Sequence, residues 1–113
     1  MAGWVAVDLD GTLVFFDPNG WKGPEHVGKP VPAMVARVKQ WLAEGIEVRI
    51  FTARASIPEP ELTPIREAIE AWCVKHLGQK IQITCTKDFG MIELWDDRAV
   101  RVRVNTGEPC CKG

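Results

Sequence analysis

The chain has 113 residues, 46% hydrophobic and 26% charged, with a formal net charge of −1. That length holds one domain with a real core and little room for a second module. The near-neutral balance argues against a binder of nucleic acid or membrane that works by bulk electrostatics, and leaves room for a local basic patch. No apolar run approaches the ~20 residues of a membrane span and the first residues lack a basic-then-apolar signal pattern, so a cytoplasmic protein with no membrane partner is expected.

Trp4-Val5-Ala6-Val7 is a short apolar run that reads as a buried strand, and it closes on Asp8-Leu9-Asp10-Gly11-Thr12-Leu13. Side chains two apart on a strand point the same way, so Asp8 and Asp10 converge at its carboxyl end. Adjacent carboxylates repel unless a cation neutralises them, and hard oxygen ligands suit Mg²⁺. An acidic turn formed for its own sake is the plainer alternative, because Asp and Gly are common turn formers. Residues 14–30 are rich in Gly, Pro, Asp and Asn with Phe15, Phe16 and Trp21 interleaved. They read as a loop or short hairpin, a flap over a substrate or a loop packed on the body.

Pro32 opens a helix with Val35, Val38, Trp41 and Leu42 on one face and Gly45 as its stop. A strand over Glu47 to Phe51 follows, closed by Thr52-Ala53-Arg54. Thr63 as N-cap and Pro64 at the first turn start a second helix, with a stripe of Ile65, Ala68, Ile69, Trp72, Cys73 and His76 ended by Gly78. Ile81 to Thr86 reads as a strand followed by Lys87-Asp88, and Met91 to Trp95 as a strand followed by Asp96-Asp97-Arg98. Val100-Arg101-Val102-Arg103-Val104 alternates as a half-buried final strand would. The order predicts an α/β domain with a mostly parallel sheet over residues 1–107, the flap inserted at 14–30 and a flexible tail at 108–113.

In open α/β sheets the ligand site lies at the carboxyl ends of the strands. Parallel strands would therefore bring Asp8, Asp10, Thr52, Lys87, Asp96 and Asp97 to one rim. That set offers a carboxylate nucleophile, a metal cage, a hydroxyl donor and a cation, which is what phosphoryl transfer requires. Arg54 is a candidate to touch substrate phosphate, with a structural or solvated role as the alternative, and Arg98 to salt-bridge near Asp96 or Asp97. Arg101 and Arg103 read as a solvated edge, Trp41 and Trp72 as core, and Trp95 as packing beneath the acidic pair. His26 and His76 lack metal-ligand partners at suitable spacing. Cys73, Cys85, Cys110 and Cys111 form no C-x-x-C pair and read as reduced thiols without catalytic work.

Asp8-Leu9-Asp10-Gly11-Thr12-Leu13 resembles the first motif of the haloacid dehalogenase superfamily of phosphatases, and Thr52, Lys87 and Asp96-Asp97 follow in that family's order. The resemblance runs from about Trp4 to Val104 and implies a single Rossmann-like, three-layer domain. It implies Asp8 as the nucleophile that forms an aspartyl-phosphate and Asp10 as general acid, then base. Thr52 is implied to bind the transferring phosphoryl group and Lys87 to offset charge, with Lys80 as the competing lysine. Mg²⁺ is implied between Asp8, Asp96, Asp97 and the Asp10 backbone carbonyl. Residues 14–30 and 78–81 leave no room for a cap domain. The resemblance is thus to cap-less members, whose open sites suit nucleotides, nucleic-acid ends or other large phosphomonoesters, or are closed by a homo-oligomer neighbour. The W-D-D-R-A run, Trp95 to Ala99, is similar to phage-encoded members and to the phosphatase part of polynucleotide kinase-phosphatases. Two other readings remain: a phosphoacceptor signalling domain, and a catalytically silent binding module.

Overall fold

The computed structural model describes residues 3–110, which form one α/β domain. Strand β1 is Trp4–Val7 and helix α1 Pro32–Ala43. Strand β2, Glu47–Phe51, and helix α2, Leu62–Leu77, follow, then strands β3 at Gln82–Thr84 and β4 at Met91–Trp95. All strand pairs are parallel and the sheet order is β3-β2-β1-β4. The expected parallel α/β architecture is therefore present. No helix among the described residues is long and apolar enough to cross a membrane.

The register explains the core. Val5 pairs with Val48 and Val7 with Ile50, so these four side chains share one face of the sheet. Met34 and Val38 of α1 and Ile65, Ile69, Trp72, Cys73 and Leu77 of α2 pack into the same cluster. Both helices thus cover one face, as two successive crossovers stepping in the same direction require. On the opposite face Arg49 stacks over the Trp4 ring at 4.4 Å, and Ile92 and Leu94 stay 45% and 39% exposed. The third layer that the resemblance implies contains no helix among the described residues: the connection 85–90 returns from β3 to β4 and lies against Trp4. Trp4 Nε1 donates to Asp88 Oδ1 at 2.8 Å, and the Trp4 N–H donates to the Gly90 carbonyl at 2.8 Å.

The fifth strand expected at Val100–Val104 does not join the sheet. Val102 forms only an isolated bridge with Pro109, and Val100, Val102 and Val104 are 68%, 52% and 83% exposed. The Arg103 N–H donates to the Glu108 carbonyl and that of Cys110 to the Arg101 carbonyl, so the segment closes on itself as a small hairpin. Alternation signals a strand with two different faces and does not say what it pairs with. Residues 108–110 of the expected tail take part in this hairpin, while Cys111 lies outside the described residues. Helix α2 begins at Leu62 rather than at a Thr63 cap: Thr63 donates both its N–H and its hydroxyl to Glu59 Oε1.

The flap is a closed excursion at the carboxyl end of β1. Val14 bridges Pro30, the Phe15 N–H donates to the Lys29 carbonyl and the Val31 N–H to the Leu13 carbonyl. Asp17 caps a single 3-10 turn at Pro18–Gly20. Trp72 Nε1 donates to the Gly28 carbonyl at 3.0 Å, which ties the flap base to α2. Gly28 is required there for space, since a Cβ on it would meet the Phe15 carbonyl oxygen at 2.7 Å.

Candidate active site

The sheet order reverses between β1 and β4, the place where open α/β sheets form their crevice. The Asp8 N–H donates to the Trp95 carbonyl at 2.9 Å, fixing the end of β1 beside the residues that follow β4. Asp8, Asp96 and Asp97 each offer a carboxylate oxygen, and these atoms lie within 4.8 Å of one another. No salt bridge to any of the three forms among the described residues. Partial burial and the neighbouring Asp96 and Asp97 push the Asp8 carboxyl up to about 7.

Thr12 and Gly11, the ends of the motif to which the sequence assigned no role, shape this cluster. Thr12 Oγ1 accepts from the Asp97 N–H at 3.0 Å and donates to Asp97 Oδ1 at 3.3 Å. Gly11 adopts φ +87°, and a Cβ there would meet Asp97 Oδ2 at 2.5 Å. Only glycine fits both the conformation and the approach. The Arg98 N–H donates to Asp96 Oδ1 at 2.7 Å, so Arg98 serves the acidic turn through its backbone.

The donor set suits a small hard cation. Mg²⁺ takes oxygen ligands at ~2.0–2.1 Å in an octahedron, where neighbouring oxygens lie about 2.9 Å apart, so the carboxylates would draw closer together to bind it directly, or hold it in part through water. Thr12→Val leaves Asp97 without its hydroxyl partner and is expected to weaken Mg²⁺ binding by about 10–100-fold, measured by calorimetric titration. An unchanged affinity would show that the hydroxyl does not orient the ligand.

Asp10 sits elsewhere in this arrangement. Its Oδ2 accepts from Arg54 Nε at 2.9 Å and its Oδ1 from Arg54 Nη2 at 2.6 Å, a two-pronged pair on a 94% buried guanidinium. Arg54 Nη1 also donates to the Pro24 and His26 carbonyls at 2.8 and 2.7 Å, and its guanidinium lies 4.7 Å from the Trp21 ring centroid. Arg54 is therefore spent on holding the acid and the flap, not on an open phosphate site. The acidic group that could hold a metal ion comprises Asp8, Asp96 and Asp97 without the Asp10 carboxylate. Thr52 is 3% exposed, and its Oγ1 accepts from the Arg54 N–H at 3.2 Å as cap of the 3-10 turn Ala53–Ser56. Its hydroxyl proton remains to be donated.

Lys87 is the predicted site residue that the structure does not join to the others. β3 ends at Thr84, and the chain then turns back toward the amino end of β1, where Asp88 is held by Trp4 and the Gly90 N–H. These bonds also hold the Asp88 carboxyl below the usual carboxylate range. Lys87 and Lys80 are both exposed, and neither forms a salt bridge among the described residues. Cations near the rim come from other elements. Arg37, 4.9 Å from the Trp95 ring centroid, lines one cavity with Asp96 and Asp97, and Lys22 and Lys29 line a second cavity with Asp10. No periodicity marks these three residues as site groups, because a lone basic residue on a helix or loop is ordinarily solvated. Trp95 packs edge-on against Trp41 at 5.1 Å. Burial pushes the Cys73 thiol up to about 12, in keeping with an inert core cysteine.

The raised Asp8 group has a consequence for stability. The folded state holds this proton more tightly than the unfolded chain does, so stability is greatest below the unfolded value near 3.8 and is lost as pH rises toward about 7. In EDTA the midpoint of thermal unfolding is expected to fall by about 4 °C between pH 5.5 and pH 8, a loss on the order of 1 kcal/mol after discounting for partial exposure. Excess Mg²⁺ is expected to remove the fall. A flat profile in EDTA would mean that the carboxylates do not strain the fold.

No family model matches the chain, and no curated protein matches it. Among solved structures, a conserved protein from Bacteroides thetaiotaomicron matches with a TM-score of 0.58 at 23% identity, covering 88% of this chain and 79% of that one. At that identity the likeness shows the fold alone.

Proposed function

We propose that the protein is a Mg²⁺-dependent phosphomonoester hydrolase of the haloacid dehalogenase type, working through an aspartyl-phosphate on Asp8. The observation that carries this reading is the convergence of Asp8 with Asp96 and Asp97, two residues along the strand end from Asp10. A metal cage and a nucleophile then share one strand end, with the proton carrier two residues further along the chain.

Bound between the three carboxylates, Mg²⁺ would supply the positive charge that lets a phosphate dianion approach. Asp8 attacks phosphorus as its carboxylate, the bond to the leaving oxygen breaks, and Asp10 gives that oxygen its proton. Water then attacks the aspartyl-phosphate, Asp10 takes the water's proton, and phosphate leaves with Asp8 restored. Proton transfer by a placed acid contributes typically ~10²–10⁴-fold. Both Asp10 oxygens accept from Arg54, so Asp10 must give up one of these bonds to carry the proton, and the Thr52 hydroxyl keeps a proton to donate.

The test is phosphate release from a panel of phosphomonoesters with Mg²⁺ and with EDTA. Release that EDTA and Asp8→Asn both abolish supports the reading, and no release from any ester would sink it. One observation favours a slower, signalling use of the same chemistry: both Asp10 oxygens accept from Arg54. A phosphoform that persists for minutes after acetyl-phosphate treatment would favour that alternative.

A further inference from the structure

We propose that the cavity between the flap and Asp10 seats the leaving group, and that this group is a nucleoside carrying a second phosphate. The inference rests on the hydrolase reading, in which the leaving oxygen must lie beside Asp10. The cavity has a volume of about 260 Å³, and Asp10, Phe16, Trp21, Lys22, Lys29 and Arg54 are among its lining residues. That is just below the ~300 Å³ lower end of small-molecule pockets, so the group is seated in part rather than enclosed. The other cavity at the rim lies against Asp96 and Asp97 and is walled by Val31, Met34 and Trp95, and Asp10 does not line it.

The walls select for a planar anion. Phe16 and Trp21 meet edge to face with centroids 6.1 Å apart, and both remain about half exposed, at 49% and 47%. Neither belongs to the buried core cluster. Arg54 backs the Trp21 ring and fixes its position, leaving aromatic surface available for a flat ring to stack. Lys22 and Lys29 form no salt bridge among the described residues. Asp10 is already paired with Arg54, and Lys22 and Lys29 against the single carboxylate of Asp17 leave the lining with one excess positive charge. The scissile phosphate belongs at Asp8, beyond the flap lysines. Two lysines at the flap therefore call for a second anion on the leaving group, and stacked rings call for a base. A phosphotyrosine side chain supplies the ring and no second anion.

The experiment has a kinetic arm and a binding arm. With Mg²⁺, adenosine 3′,5′-bisphosphate is expected to exceed glycerol 2-phosphate in kcat/KM by about 100-fold, the scale of one stacked base plus a charged contact. Trp21→Ala is expected to cut that ratio about 10-fold or more. Lys22→Gln with Lys29→Gln is expected to cut the preference for the bisphosphate over adenosine 5′-monophosphate. Phe16→Ala is a second variant that leaves the Arg54 stack in place. In the binding arm, adenosine 3′,5′-bisphosphate is titrated onto Asp8→Asn protein with and without Trp21→Ala. Binding that weakens with Trp21→Ala supports nucleotide recognition at the flap even where no ester is hydrolysed, an outcome that would instead defeat the hydrolase reading. Hydrolysis with equal kcat/KM for the two esters and no Trp21 effect would overturn the flap inference and leave the hydrolase standing. Preference for a phosphotyrosine peptide over the bisphosphate would also overturn it.

Discussion

Asp8→Asn is expected to abolish phosphate release, with a fall in kcat of about 10⁴-fold or more, while making the metal-free protein more stable. The two effects have one cause. Asp8 is held partly buried against Asp96 and Asp97, with its carboxyl pushed up to about 7. Asparagine keeps the shape, removes the charge and cannot attack phosphorus. In EDTA at pH 8 the variant is expected to melt about 4 °C above the wild type, and the fall with rising pH expected of the wild type should disappear. Excess Mg²⁺ should reverse the order, since the metal then stabilises the wild type by mass action more than the variant. Thermal unfolding across pH with both proteins, run beside the release assay, checks all of this. Retained turnover would remove Asp8 from the chemistry. A variant less stable than wild type in EDTA would mean that the acidic cluster is not under repulsion.

Arg54→Ala should show the largest loss of stability. The side chain is 6% exposed, holds both Asp10 oxygens and donates to the Pro24 and His26 carbonyls. Removing one partner of a buried pair leaves the other charge uncompensated and costs about 3 kcal/mol, or roughly 12 °C in the melting midpoint. Asp10 is itself 24% exposed on its side chain, which places the estimate at the low end of such losses. The variant also frees the Pro24 and His26 carbonyls in the middle of the flap, while its base stays tied through Trp72 and the Gly28 carbonyl. Arg54→Lys is expected to recover little, because an ammonium cannot reproduce the forked geometry. Combining Arg54→Ala with Asp10→Ala should cost less than the sum of the single changes, by about 1–2 kcal/mol. A surface arginine free for substrate would shift the midpoint hardly at all, and that result would contradict the buried clamp.

Much of this molecule is legible without coordinates, for a local reason. The run Trp4 to Val7 has the composition of a strand buried on both faces, and the helix stripes place Val38, Ile65, Ile69 and Trp72 in the core. Strand ends on a parallel sheet share one rim, so the position of Asp8, Asp96 and Asp97 after their strands was enough to bring them together. The motif named Gly11 and Thr12 but not their tasks, because holding Asp97 depends on a residue 85 positions away from Thr12.

What the sequence determined by itself is thus the two helices, the four strands of the parallel sheet and the acidic cluster, all of which follow from short-range pattern and strand polarity. Tertiary structure alone decided the rest. Lys87 leaves the rim because β3 stops at Thr84 and the chain must return to the start of β4, where Trp4 holds Asp88. Val100 to Val104 alternates as a strand should, yet pairing needs a neighbour, and the segment finds its partners in itself. Arg54 lies two residues after Thr52, where a phosphate-binding arginine is expected, but burial demands that every donor find an acceptor, and Asp10 with the flap carbonyls supplies them. Each of these outcomes depends on which distant groups meet, and residue spacing along a chain carries no record of that.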